Sequence, residues 1–199
     1  MRTWSRNESN HSGFPLWHAV RIFCQPYNVN YSDSWVYQIN FIIIFNRQGK
    51  IRLTRWYQYM TDKQKASLSQ DVVTQILARK RGMCNILELE GRREARGKAI
   101  YKRYASLFFC FGIDWNDNEL SGLEVLHKYV ECLDQYFGNV CELDIIYNYS
   151  AAYQVMDEML LGGHAQETNK KIVVKHCKGF DKLEESDSIV HNLRASNIA

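Results

Sequence analysis

At 199 residues the chain has the length of one domain and enough of it to bury a core of ordinary size. Apolar residues make up 46% and aromatic residues 13%, which excludes disorder over most of the length. A net charge of +3 is too mild and too dispersed for a nucleic-acid footprint.

Six cysteines (Cys24, Cys84, Cys110, Cys132, Cys141, Cys177) form no Cys-x-x-Cys pair, and several lie inside apolar runs. They read as buried thiols of a reducing compartment. No apolar run reaches the length of a membrane span, and the first residues lack the apolar core of a signal peptide, so the cytosol is the expected location.

Residues 1–35 carry Trp4, Trp17 and Trp35 among polar residues without a clear period, and are expected to form a poorly ordered extension. The folded domain is expected over residues 36–180. Ile39-Asn-Phe-Ile-Ile-Ile-Phe45 predicts a buried strand, Asn46 to Lys50 a glycine-containing hairpin loop, and Ile51 to Tyr57 the returning strand. Alternation puts Ile51 and Leu53 on one face of that strand, with Arg52, Thr54 and Trp56 on the other. Thr61-x-x-Gln64 is a capping box, opening a helix to about Ala78 with the stripe Leu68, Val72, Val73, Ile76 and Leu77.

A third strand is expected over Met83–Leu89, then a polar loop to Gly97. Two further strands follow at Lys98–Tyr104 and Ala105–Ile113, the second apolar at nearly every position and so covered on both faces. Asp117 or Asn118 caps a long helix that stops at Gly138. Its main stripe runs from Leu120 through Leu123, Leu126, Val130 and Leu133 to Phe137. A second row (Val125, Tyr129, Cys132, Tyr136) predicts burial on two sides. Shorter helices are expected at 142–147, at 151–161 capped by Ser150 and stopped by Gly162-Gly163, and at 169–176 capped by Thr168. Residues 181–199 are polar and weakly patterned and read as a frayed, flexible tail. The element order predicts an antiparallel sheet with helical cover, an α+β arrangement.

No catalytic set emerges. Glu142 and Asp144 fit dipole and capping roles at a helix start better than an acid/base pair. His127, Cys132 and Cys141 lack the spacing of a nucleophile or metal site. Gly162-Gly163-His164 lacks the strand–loop–helix setting of a phosphate cradle.

Several blocks, in matching order, carry a family resemblance: Phe45-Asn-Arg-Gln-Gly-Lys-Ile-Arg-Leu53, Tyr101-Lys-Arg-Tyr-Ala-Ser-Leu107, Asp117-Asn-Glu-Leu120, Val140-Cys-Glu-Leu-Asp-Ile-Ile146 and Asp157-Glu-Met-Leu-Leu-Gly-Gly163. Over residues 38–185 the chain resembles the small (sigma) subunits of clathrin adaptor complexes. Ala78-Arg-Lys80, Met83-Cys84, Glu167 to Lys171 and the Glu184-Glu-Ser186 tail lean toward adaptor complex one of the trans-Golgi network and endosomes, with the plasma-membrane complex second.

The resemblance implies a longin-like (SNARE-like) fold, a five-stranded antiparallel sheet flanked by helices on both faces. It implies a permanent gamma-type large adaptin partner within a heterotetramer that also holds beta and mu subunits. Clathrin and membrane are reached through that complex, and neither cofactor nor metal is implied. The ligand implied is an acidic dileucine sorting signal, (D/E)xxxL(L/I), in cargo tails. Residue by residue, its leucine pockets fall on Ala105, Leu107, Val130, Asn139, Val140, Leu143 and Ile145, and Arg52 matches the basic residue near the signal's acidic position. On strand pattern alone Arg52 is an ordinary exposed arginine. The chain departs from the family in its N-terminal extension and in a longer 90–97 loop. The competing readings are a coatomer zeta subunit or a longin SNARE, the latter disfavoured by the absence of a heptad segment and of a lipidated terminal cysteine.

Overall fold

The computed structural model describes residues 38–80, 82–89 and 97–196, with side chains to residue 186. The expectations for residues 1–35, for the loop at 90–96 and for the last three residues lie outside the described residues.

Five strands form one antiparallel sheet: β1 (Ile39–Asn46), β2 (Ile51–Trp56), β3 (Ile86–Leu89), β4 (Gly97–Tyr104) and β5 (Leu107–Ile113), in the order β2-β1-β5-β4-β3. The two most apolar stretches of sequence, β1 and β5, pair with each other near the middle of the sheet. That follows from their composition, because a strand without a polar face must be covered on both sides.

One side is covered by α1 (Asp62–Ala78), whose Leu68, Val72, Val73 and Ile76 pack on Phe41, Ile43, Phe45, Ala99, Tyr101 and Cys110. Its capping box forms as expected: the Thr61 N–H donates to Gln64 Oε1 at 2.8 Å. Leu77, read as part of the stripe, is exposed instead.

The other side carries α2 (Glu119–Phe137), α3 (Glu142–Tyr147), α4 (Tyr149–Met159) and α5 (Lys170–Ser196). Here Ile42, Ile44, Leu53, Ile100, Phe109, Phe111 and Ile113 meet Val125, Leu126, Tyr129, Leu133, Val155, Met156 and Val173 in a single cluster. Of the two candidate caps, Asn118 caps α2, accepting from the Leu120 N–H at 2.9 Å. The helix ends at Gly138 in the left-handed region (φ 69°). It packs against β4 and β5 on one side and α4 and α5 on the other, as its two apolar rows predict. Leu120 is the exception at 73% exposure. Tyr129 is fully buried, rests on Phe109 and Phe111, and donates its hydroxyl to the Ala152 carbonyl at 3.0 Å, tying α2 to α4.

Several expectations are corrected. The third strand begins at Ile86, not Met83. β4 and β5 are separated by a two-residue turn, Ala105-Ser106, with Ala105 at φ 50°. That turn carries no glycine, asparagine or proline, the usual markers of a hairpin. α4 starts after Asn148, so Ser150 lies within it rather than capping it. Gly162 and Gly163 (φ 60° and 92°) do more than stop a helix: they turn a small hairpin between β6 (Leu160–Leu161) and β7 (His164–Ala165). The Gly163 carbonyl accepts the Ile39 N–H at 2.9 Å. The final helix is capped by Asn169, which accepts from the Lys171 N–H at 3.1 Å, and not by Thr168. It runs on through Ser196, well past the expected stop at His176 and through most of the presumed tail.

β2 holds a further correction. Its register against β1 slips between Ile44↔Leu53 and Phe45↔Ile51, leaving Arg52 as the extra residue of a β-bulge. Strict alternation therefore fails at this point. Ile51 lines a groove with Ala66, Val73 and Leu77 of α1, whereas Leu53 joins the cluster on the opposite side. Arg52 is released from the face assigned to it by alternation and reaches Glu142 of α3, on the same side as Leu53.

Two substitutions test this packing by thermal unfolding. Removing the buried hydroxyl in Tyr129→Phe is expected to cost about 0.5–1.5 kcal/mol. At Gly163 an added Cβ would lie 2.3 Å from the Ile39 carbonyl oxygen on a backbone with φ 92°. Gly163→Ala is expected to cost more, about 2–3 kcal/mol, and to lower the melting temperature further than Tyr129→Phe does.

Candidate functional site

The eight residues singled out by resemblance come from four separate places in the chain, and the fold gathers them near one end of the sheet. Ala105 is exposed in the β4–β5 turn, where its left-handed backbone aims its carbonyl at two arginines. Arg47 Nη2 donates to it at 3.0 Å and Arg103 Nε at 3.2 Å. Leu107 opens β5, faces Asn46 of β1 across the sheet and is buried.

Val130 is buried on α2, and the chain then leaves that helix through two successive left-handed residues, Gly138 and Asn139 (φ 69° and 71°). Both of their N–H groups return to the Asp134 carbonyl, at 2.9 and 3.3 Å. Asp134 Oδ1 accepts the Val140 N–H at 3.1 Å. This knot fixes Val140, which packs partly buried against the cluster containing Leu107, Val130 and Ile145. A left-handed non-glycine residue is uncommon, and asparagine is one of the few that tolerate it.

α3 follows at once. The Cys141 N–H donates to Asp144 Oδ2 at 2.8 Å, so Asp144 does the capping work expected of it. Ile145 is fully buried, while Leu143, two residues earlier, is 58% exposed. Leu107, Val130 and Ile145 are thus sealed in the core, Val140 is half-buried against it, and Leu143 stands exposed.

The polar edge of the site is built around Glu142. Its Oε1 accepts from Arg52 Nη2 at 2.7 Å, Arg52 Nε at 3.1 Å and Asn46 Nδ2 at 3.2 Å. The Arg52 guanidinium, together with hydrogen bonds from Asn46 and Ser106, holds the Glu142 carboxyl below its usual pKa. Sequence reasoning assigned Glu142 to helix capping and missed this ion pair. Its partners lie 90 and 96 positions away, and no local spacing announces them.

The other sequence candidates do not assemble. His127 stacks on Tyr104 and shares a 2.8 Å hydrogen bond with its hydroxyl. Cys132 is buried, and burial pushes its thiol up to about 11. Cys141 is exposed at the start of α3. Among the described residues, no group of three or more His, Cys, Asp or Glu side chains is placed to hold a metal ion. Also among them, no helix is long and apolar enough to cross a membrane.

Comparison with known proteins bears on the family and the fold. Residues 38–184 match the family model of the clathrin adaptor complex small chain. The chain is 48% identical over 149 residues to human (Homo sapiens) AP-1 complex subunit sigma-1A, covering 75% of this chain and 91% of that protein. It is 47% identical over 150 residues to Schizosaccharomyces pombe AP-1 complex subunit sigma-1, covering 75% of this chain and 90% of the relative. In three dimensions it resembles a chain from a homology model of the full-length AP-3 complex in a stretched open conformation. The TM-score there is 0.59 at 28% identity, over 75% of this chain and 97% of the other. The α+β, longin-like sheet and the sequence matches lead to one conclusion: the chain belongs to the clathrin adaptor complex small chain family.

Proposed function

We propose that this chain is the small subunit of an adaptor of the AP-1 type. In this reading it is held permanently by a gamma-type large adaptin in a heterotetramer with beta and mu subunits. It acts on the cytoplasmic face of trans-Golgi and endosomal membranes and in clathrin-coated vesicles, where it binds (D/E)xxxL(L/I) signals of cargo tails together with the large subunit. The AP-1 names of the relatives support the choice of complex. The observation that carries the ligand reading is the placing of half-buried Val140 and exposed Leu143 on either side of Glu142, the residue that holds the basic side chain of Arg52 at the start of α3.

Burying two leucine side chains is worth about 3–6 kcal/mol gross, at about 1.5–3 kcal/mol each. Ordering a flexible peptide removes much of that gain. The net contact is weak and reversible, as sorting requires, and is reinforced when several sites engage one membrane. Arg52 adds a charge-assisted, salt-sensitive contact to the acidic residue of the signal.

Leu143 and Val140 are the informative positions, because Leu107 is a core residue whose loss would disturb folding. In the reconstituted heterotetramer, Leu143→Ser is expected to weaken dileucine-peptide binding by about tenfold, matching the loss of one buried leucine contact. Val140→Asp is expected to abolish binding, with assembly intact by gel filtration in both cases. Unchanged peptide affinity in both variants rules out the groove. Arg52→Ser is expected to weaken signals that carry the acidic residue by about three- to tenfold and to spare signals with alanine there. An equal loss for both peptides rules out the electrostatic role.

A further inference from the structure

We infer that Glu142 is a built-in counter-ion for Arg52 that sets how strongly the site favours acidic signals; this rests on the dileucine reading above. Arginine presents five N–H donors on a planar fork. Glu142 Oε1 takes donors from one edge of that fork, Nε at 3.1 Å and Nη2 at 2.7 Å. Among the described residues nothing accepts from the end of the fork, Nη1 with the second hydrogen of Nη2, which can therefore take another carboxylate. An arriving acidic residue therefore meets a neutral pair, and its carboxylate comes to rest close to Glu142 as well as to Arg52.

The surroundings make that cost felt. The Arg52 and Glu142 side chains are only 16% and 22% exposed, so water screens them less than it does a surface pair. Asn46 Nδ2 donates to the same oxygen at 3.2 Å, and β2 packs directly against α3. Glu142 thus cannot swing away without giving up several hydrogen bonds at once. The signal has to share the arginine with it, and the chain's own carboxylate weakens the acidic contact. The β-bulge at Arg52 is what brings the two groups to the same side of the sheet.

A strut that merely ties α3 to the sheet uses the same hydrogen bonds, and isosteric replacement separates the two roles. Glu142→Gln keeps an oxygen that accepts from Arg52 and Asn46 but removes the charge. Glu142→Ala removes both. Binding is measured in the reconstituted heterotetramer with two fluorescent peptides, one with the acidic residue and one with alanine in its place, at low and high salt. Glu142→Gln is expected to tighten the acidic peptide by about three- to tenfold, to leave the alanine peptide unchanged and to steepen the salt dependence of the acidic one. No change or weaker binding of the acidic peptide in Glu142→Gln overturns the inference, and so does equal tightening of both peptides. A loss in Glu142→Ala with no gain in Glu142→Gln assigns the residue a positioning role only and overturns it too. If Leu143→Ser loses binding while Glu142→Gln is unchanged, the counter-ion role alone falls. Unchanged binding in Leu143→Ser and Val140→Asp removes the groove and this inference with it.

Discussion

Two adjacent strands without a polar face, β1 and β5, impose the architecture. Ile42 and Ile44 point into one core while Phe41, Ile43 and Phe45 point into the other. β5 divides likewise, with Phe109, Phe111 and Ile113 on one side and Cys110 on the other. Neither strand can sit at an interface with water, so the chain must supply cover twice. α1 provides one layer, and α2, α4 and α5 provide the other. Gly112 makes the central pairing possible in detail: the Phe41 ring occupies the space where a Cβ would stand, 2.1 Å from its nearest carbon.

The ends of this block are where functional variety is cheap. Each large side chain buried in the two cores contributes about 1.5–3 kcal/mol, whereas an exposed ion pair contributes about 0–1 kcal/mol. The fold is thus held by its middle, and the turn at Ala105, the exit at Gly138-Asn139 and the short α3 can be shaped for binding at little cost to stability. Two unusual backbone positions are placed there, the left-handed Ala105 and Asn139, each secured by neighbours: arginines in one case and Asp134 in the other.

What the sequence disclosed follows from the range of the interactions involved. β1, β5, α1 and α2 are legible because apolar period, capping residues and a terminal glycine are all local signals. The candidate site positions came from the family blocks, since Leu107, Val130 and Ile145 look like ordinary core positions when read alone, and core is where the fold places them. The turn at Ala105-Ser106 was hidden because two apolar strands run almost together with no turn residue between them. The length of α5 was hidden because Gly179 and the polar residues after it dilute the stripe, and tertiary packing of its first turns on α2 and α4 outweighs weak propensity. The Arg52–Glu142 pair was invisible for a different reason. It depends on a register slip between strands, which no alternation rule can anticipate.

That slip has a bearing on how this segment tolerates change in length. Loop 47–50 between β1 and β2 looks like a place where insertions and deletions pass unnoticed. Yet removing a single residue from the start of β2 would heal the bulge, restore regular pleating and turn the guanidinium to the α1 side of the sheet, out of reach of α3. The spacing between the hairpin glycine, Gly49, and Leu53 is therefore a geometric quantity in its own right, which decides the side of the sheet that residue 52 faces.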